Sequence, residues 1–177
     1  IRTAFDLGVR VFDTAPAYGA GAAEHRLGEA LGDLPRDDVL LATKAGFGAS
    51  HARDFTPDAV LRSVEGSLKR LRVDHIDILF LHGPAPHELS DPLLAVLVAL
   101  RDSGRIRAIG VTGRGAEMDV AVATGEIRHV MAPLNARSSA EDRARLSRFR
   151  AAGAHIIAIE ALRPALSWRR SLTSAGG

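Results

Sequence analysis

Compact, near-continuous apolar runs alternate along this chain with segments whose leucines and valines recur at helical spacing. Val9-Arg10-Val11-Phe12-Asp13 is the first run and Val39-Leu40-Leu41-Ala42-Thr43-Lys44 the second. Ile76-Asp77-Ile78-Leu79-Phe80-Leu81-His82 and Ile106-Arg107-Ala108-Ile109-Gly110-Val111-Thr112 follow, with weaker candidates over 128–134 and 154–162. Runs of this kind suit strands buried on both faces of a parallel sheet. Between them lie helical patterns. Leu27, Leu31 and Leu34 form one stripe, and Val60, Val64, Leu68 and Leu71 another behind the Thr56-Pro57-Asp58 start signal. Leu94, Leu97 and Leu100 make a third, and the stretch 140–152 carries Leu146 and Phe149 before Gly153.

Strand and helix in this cadence mean βα units joined by right-handed crossovers. A doubly wound sheet fits the alternation as well, but it should carry a Gly-x-Gly-x-x-Gly turn straight after a strand. Gly46 and Gly48 follow Lys44 without a third glycine or a helix behind them. The expected fold is therefore α/β, of the (β/α)8 barrel type. Six strand candidates fall two short of eight, and 177 residues fall below the roughly 250 of a closed barrel. The chain reads as one partial barrel domain over 1–177, starting inside a helix that ends at Gly8, with a frayed tail over 163–177.

Composition excludes several function classes. There is no cysteine, so disulfides and thiolate chemistry are out, and a cytoplasmic setting is expected. No stretch approaches the ~18 apolar residues of a membrane span, and no secretory leader is read. The net charge is +2, and the bases are interspersed with acids, as in Glu141-Asp142-Arg143, so no nucleic-acid face is expected. All but two of the 23 basic residues are arginine, the exceptions being Lys44 and Lys69.

Catalytic groups of an α/β barrel sit where strands end and βα loops begin. Three successive runs end in Asp13, Lys44 and His82, and Tyr18, the chain's single tyrosine, follows Asp13 on the next loop. An acid, a phenol, an ammonium and an imidazole thus share one mouth. Reducing a carbonyl takes a hydride at carbon and a proton at oxygen. A phenol, ordinarily with a pKa of about 10, is a reluctant acid unless an ammonium beside it favours the phenolate. A carboxylate keeps such a lysine charged and oriented, and an imidazole can donate a hydrogen bond to the substrate oxygen. Taken singly, each residue has a blander reading: a turn aspartate, a packed tyrosine, a solvated strand end, a loop histidine. Their joint order favours a site. No His-x-His pair accompanies Asp13 and His82, so no metal is expected.

The residues that carry this pattern resemble a known family. Phe12-Asp13-Thr14-Ala15-Pro16-Ala17-Tyr18-Gly19, with Glu24 and Leu27-Gly28-Glu29-Ala30-Leu31, is similar to the first signature of the aldo/keto reductases. Leu41-Ala42-Thr43-Lys44 resembles their lysine strand, Asp77-Ile78-Leu79-Phe80-Leu81-His82 their histidine strand, and the run ending at Thr112 the strand after it. The resemblance implies a catalytic tetrad of Asp13, Tyr18, Lys44 and His82, with Tyr18 as general acid and base. It implies NADPH, or less often NADH, as cofactor and a small or medium aldehyde or ketone as substrate. Asp13, Thr112, Gly113 and Met131 fall at cofactor-binding positions. Three of these regions depart from the family. Thr112-Gly113 stands for Ser-Asn, Met131 for a glutamine, and Ala158-Ile159-Glu160-Ala161-Leu162 for a stretch with a stacking tyrosine. The alternative expectation is a non-catalytic barrel fragment that binds a partner. The sequence leaves the substrate's identity and the oligomeric state open.

Overall fold

The structure, a computed structural model, describes residues 1–48 and 52–163. After α1 (Arg2–Asp6), five βα repeats and a sixth strand run as β1 (Val11–Asp13), α2 (Ala22–Leu31), β2 (Leu40–Ala45), α3 (Pro57–Leu71), β3 (Ile76–His82), α4 (Asp91–Asp102), β4 (Ile106–Thr112), α5 (Ala116–Ala123), β5 (His129–Pro133), α6 (Ala140–Ala151) and β6 (His155–Ile159). All neighbouring strands are parallel, and their order in the sheet is their order in the chain. A doubly wound sheet reverses its order partway; a barrel wall does not. The result is a curled half-barrel with six parallel strands of the expected eight among the described residues.

The pleat divides side chains between two faces. Leu79, Leu81, Val111, Val130 and Ala132 point to the helices and join Val60, Val64, Leu93, Leu97 and Met118 in the larger core. Ala42, Ile78, Phe80 and Met131 point the other way, with Leu40, Ala108, Ile157 and Ile159 partly buried around them on the concave face. A smaller core packs α2 on β1 and β2 through Leu27, Leu31, Leu41 and Leu71. Leu34 belongs to it although α2 has ended by then, because the chain turns back at Gly32.

Local expectations hold for β3 and β4 to the residue and for the others within a few. The Thr56 start signal is corrected in detail. Pro57 opens α3, yet the Thr56 hydroxyl donates to Asp54 Oδ1 (2.7 Å) and does not cap the helix. In α4 it is Leu93, not Leu94, that is fully buried with Leu97 and Leu100. Helix α5 has no counterpart in the sequence reading. The frayed tail expected over 163–177 lies outside the described residues from 164 onward.

Two buried ion pairs fix the sheet against its neighbours. Asp77 accepts from Leu41 N (2.8 Å) and Arg36 Nη2 (2.7 Å), pinning β3 to β2 at the end remote from Lys44 and His82. Glu24, fully buried on α2, accepts from Thr43 Oγ1 (2.7 Å) on β2 and from Arg70 Nε (2.7 Å) on α3. Thr43 thus points to the helices while Lys44, the next residue, points to the concave side.

Candidate active site

Register brings the strand ends together. Asp13 pairs with Ala42, Lys44 with Phe80, His82 with Thr112, and Thr112 with Met131. Lys44 lies two residues beyond the partner of Asp13, and His82 two beyond the partner of Lys44, so successive strands bring an acid, an ammonium, an imidazole and a hydroxyl to the same end of the wall. Tyr18 reaches that end from the β1–α2 loop, where Gly19, Ala20 and Gly21 all have positive φ and turn the chain sharply into the helix. A cavity of about 480 Å3 is lined by all seven residues singled out in the sequence: Asp13, Tyr18, Lys44, His82, Thr112, Gly113 and Met131. That volume lies in the range of small-molecule sites.

Lys44 is 2% exposed. Such burial of an ammonium is costly unless its donors are met. Nζ donates to Asp13 Oδ1 (2.8 Å), Asp13 Oδ2 (2.7 Å) and the Thr14 carbonyl (2.8 Å), which uses all three of its protons. The charge is fixed 4.9 Å from the centroid of the Tyr18 ring. Tyr18 itself is 43% exposed, so its hydroxyl is open to a ligand. Its ring meets His82 edge-on at 6.3 Å between centroids.

His82 is held on its other side by Phe47, again edge-on, at 5.6 Å. Burial first, then the positive charges of Lys44 and Arg53, push its pKa down to about 4. The imidazole is therefore neutral near pH 7, with one N–H to donate. Nδ1 is buried with no hydrogen-bond partner in the protein. The linkage has a definite sign. An unfolded histidine titrates near 6.5, so as pH falls the unfolded chain takes up this proton first. Stability from this group is complete above 6.5 and declines as pH drops toward about 4. His75 and His129 are also shifted down by burial and add a decline of the same sign. Thermal melts across pH 4–7 are expected to show a shallower decline in His82→Gln than in the parent. Parallel curves would refute the assignment.

Gly113 donates its N–H to the Met131 carbonyl (3.2 Å), so β4 and β5 stay paired up to the cavity wall. Met131 is buried among the concave-face residues, and Pro133 and Ile159 continue an apolar wall beyond it. Five cavity residues were not among the expected site residues: Glu117 on the unanticipated helix α5, Arg114 before it, Gly83 after His82, and the apolar pair Pro133 and Ile159. Arg114 and Pro133 also line an adjoining cavity of about 380 Å3, whose walls carry Arg137, Arg145 and Arg163. Glu160, with a left-handed backbone (φ +57°), pairs with both Arg114 and Arg163 at its rim. Among the described residues no group of three or more His, Asp or Glu is placed to hold a metal ion, and no helix is long and apolar enough to cross a membrane.

Known proteins resemble this chain in sequence and fold. An aldo-keto reductase of Bacillus subtilis is 38% identical over 140 residues, covering 76% of this chain and 42% of that protein. A glycerol dehydrogenase from Gluconobacter oxydans superposes with a TM-score of 0.81 at 31% identity, over 93% of this chain and 53% of its own. An aldo-keto reductase from Klebsiella pneumoniae, solved in complex with NADPH, gives 0.75 at 26% identity, over 93% of this chain and 57% of its own. The chain thus spans about half the length of the relatives it matches. The sequence profile of the Aldo/keto reductase family runs along residues 1–164, across the same six-stranded wall and the same strand ends, and the chain belongs to that family.

Proposed function

We propose that the cavity is the hydride-transfer site of a carbonyl reductase that uses NADPH, or NADH, to reduce a small or medium aldehyde or ketone, with Tyr18 as proton donor. The observation that supports this best is the convergence of Asp13, Tyr18, Lys44 and His82 on one cavity with Thr112, Gly113 and Met131. A dinucleotide suits the walls. Met131, Pro133 and Ile159 offer an apolar surface to a flat ring, and Thr112 offers a hydroxyl beside it. Arginines of the adjoining cavity suit phosphate oxygens. The Klebsiella relative was solved with NADPH, in keeping with that fit. When bound, the reduced nicotinamide supplies the hydride to the carbonyl carbon.

The chain's own residues divide the remaining work. Tyr18 gives its hydroxyl proton to the carbonyl oxygen as negative charge develops there. Lys44, immobilised by Asp13 and Thr14, stabilises the charge left on the phenol. With a pKa of about 4, His82 stays neutral and orients the carbonyl through an N–H rather than acting as the acid. Asp13 keeps the ammonium aimed, accepting from it with both carboxylate oxygens.

The test is titration of the chain with NADPH and with NADH, followed by their fluorescence, beside turnover of a generic aldehyde. Saturable binding with turnover is the expected result. A folded, monodisperse sample that binds neither dinucleotide would overturn this reading. A second reading, a barrel piece that binds a partner, is favoured by the exposed Leu7, Val11 and Leu162 beside the two outer strands. It predicts association without turnover.

A further inference from the structure

Helix α5 begins three residues after Gly113, and its second residue turns back toward the cavity. Glu117 accepts from Arg114 N at 2.5 Å and from Gly115 N at 2.8 Å, and both bonds end on Oε1. Oε2 is free of these two. Burial works against a charge at Glu117. The backbone N–H groups of Arg114, Gly115 and Glu117 itself, with Arg145 nearby, outweigh it and hold the carboxyl below its ordinary range. The group therefore stands in the cavity wall as a fixed carboxylate.

Residue 113 decides whether that position is open. A Cβ on Gly113 would lie 2.3 Å from Glu117 Oε1 and 2.9 Å from its Cγ, too close for both to stay. Gly113 is not among the glycines with positive φ, so its backbone suits any residue. What this glycine supplies is space. Of the other cavity residues, Thr112 offers a hydroxyl that can accept or donate and Met131 a thioether that accepts weakly, while both oxygens of Asp13 already accept from Lys44.

We propose that Glu117 is the hydrogen-bond acceptor for the NH2 group of the nicotinamide carboxamide, and that Gly113 is the opening through which it reaches the cavity. This rests on reading the cavity as the nicotinamide site. A carboxylate has acceptors only, so it recognises the donor end of the amide and gains nothing from a ring substituent that lacks N–H. Specificity of this kind comes from a buried acceptor left unmatched by the wrong ligand.

The experiment is calorimetric titration of the chain, of Glu117→Ala and of Gly113→Ala with two dinucleotides. One is NADPH; the other is its reduced 3-acetylpyridine analogue, in which an acetyl group replaces the carboxamide. The parent chain is expected to prefer NADPH by about tenfold or more, the scale of a hydrogen bond to a charged group. In Glu117→Ala the ratio is expected to fall toward one. Gly113→Ala should do the same, because the added methyl displaces the carboxylate while Glu117 remains, and it decides the matter where Glu117→Ala loosens the start of α5. A preference that survives in Gly113→Ala and in folded Glu117→Ala overturns the assignment. So does equal affinity of the parent for both ligands, with the nicotinamide reading left standing. A parent chain that binds neither dinucleotide overturns that reading and this inference together.

Discussion

Tyr18→Phe is expected to lower the rate of carbonyl reduction by about 10²–10⁴-fold, the usual contribution of a positioned general acid, with dinucleotide affinity and melting temperature unchanged. Nothing nearby can take over the proton. His82 sits against the same ring but has a pKa of about 4, so at neutral pH it carries no acidic imidazolium. Lys44 is closer in charge but has all three protons committed to Asp13 and Thr14. Deleting one partly exposed hydroxyl removes no packing, because the phenyl ring keeps its edge contact with His82. That separation is what makes the variant informative. Steady-state rates beside calorimetric binding and thermal melts give the comparison. A variant that keeps most of the parent's rate would mean that the proton comes from elsewhere.

The largest expected loss of stability follows from Glu24→Ala, about 3 kcal/mol. For a chain of this size that corresponds to a fall in melting temperature of roughly 6–12 °C. The carboxylate is 0% exposed and joins three elements, accepting from Thr43 on β2 and Arg70 on α3 while sitting on α2. Its removal leaves a buried hydroxyl without a partner and a guanidinium without a counter-charge. Because the Arg70 side chain is 24% exposed, water can answer part of its need, which puts the cost at the low end for a broken buried pair. The helices cannot close the gap. At Gly28 the backbone of α2 already touches that of α3, and an added Cβ would meet the Arg70 and Leu71 carbonyl oxygens at 2.6 Å. Denaturant or thermal unfolding measures the change, and a loss below about 1 kcal/mol would show the pair to be incidental.

Strands β3 and β4 were legible to the residue because each is a long apolar run in the middle of the wall, covered on both faces. Strand β1 was overestimated because it is a short outer strand, where Val9 and Val11 stay exposed and apolar character no longer reports pairing. Helix α5 escaped notice for a different reason. Ala116 to Ala123 is mostly small and apolar, and only Met118 and Ala121 are buried, so there is no stripe to recognise. Its Glu117 escaped with it. A glutamate one turn past a glycine is unremarkable as sequence; it matters only because that glycine lacks the atom that would exclude it.

The sequence by itself determined the alternation of strand and helix, the identities of Asp13, Lys44 and His82 at strand ends, and the lone Tyr18 on the loop between two of them. Those features are local: periodicity, residue type and turn chemistry over a few positions suffice to read them. Tertiary structure alone decided which groups neutralise one another, that Lys44 spends every donor on Asp13 and Thr14, that His82 loses its charge, and that Glu117 enters the cavity. All but the last depend on strand register and on burial, set by residues dozens of positions apart; the Glu117 bonds are local, and only its place in the cavity wall is tertiary. Electrostatic work and excluded volume depend on distance in space, which no local pattern encodes.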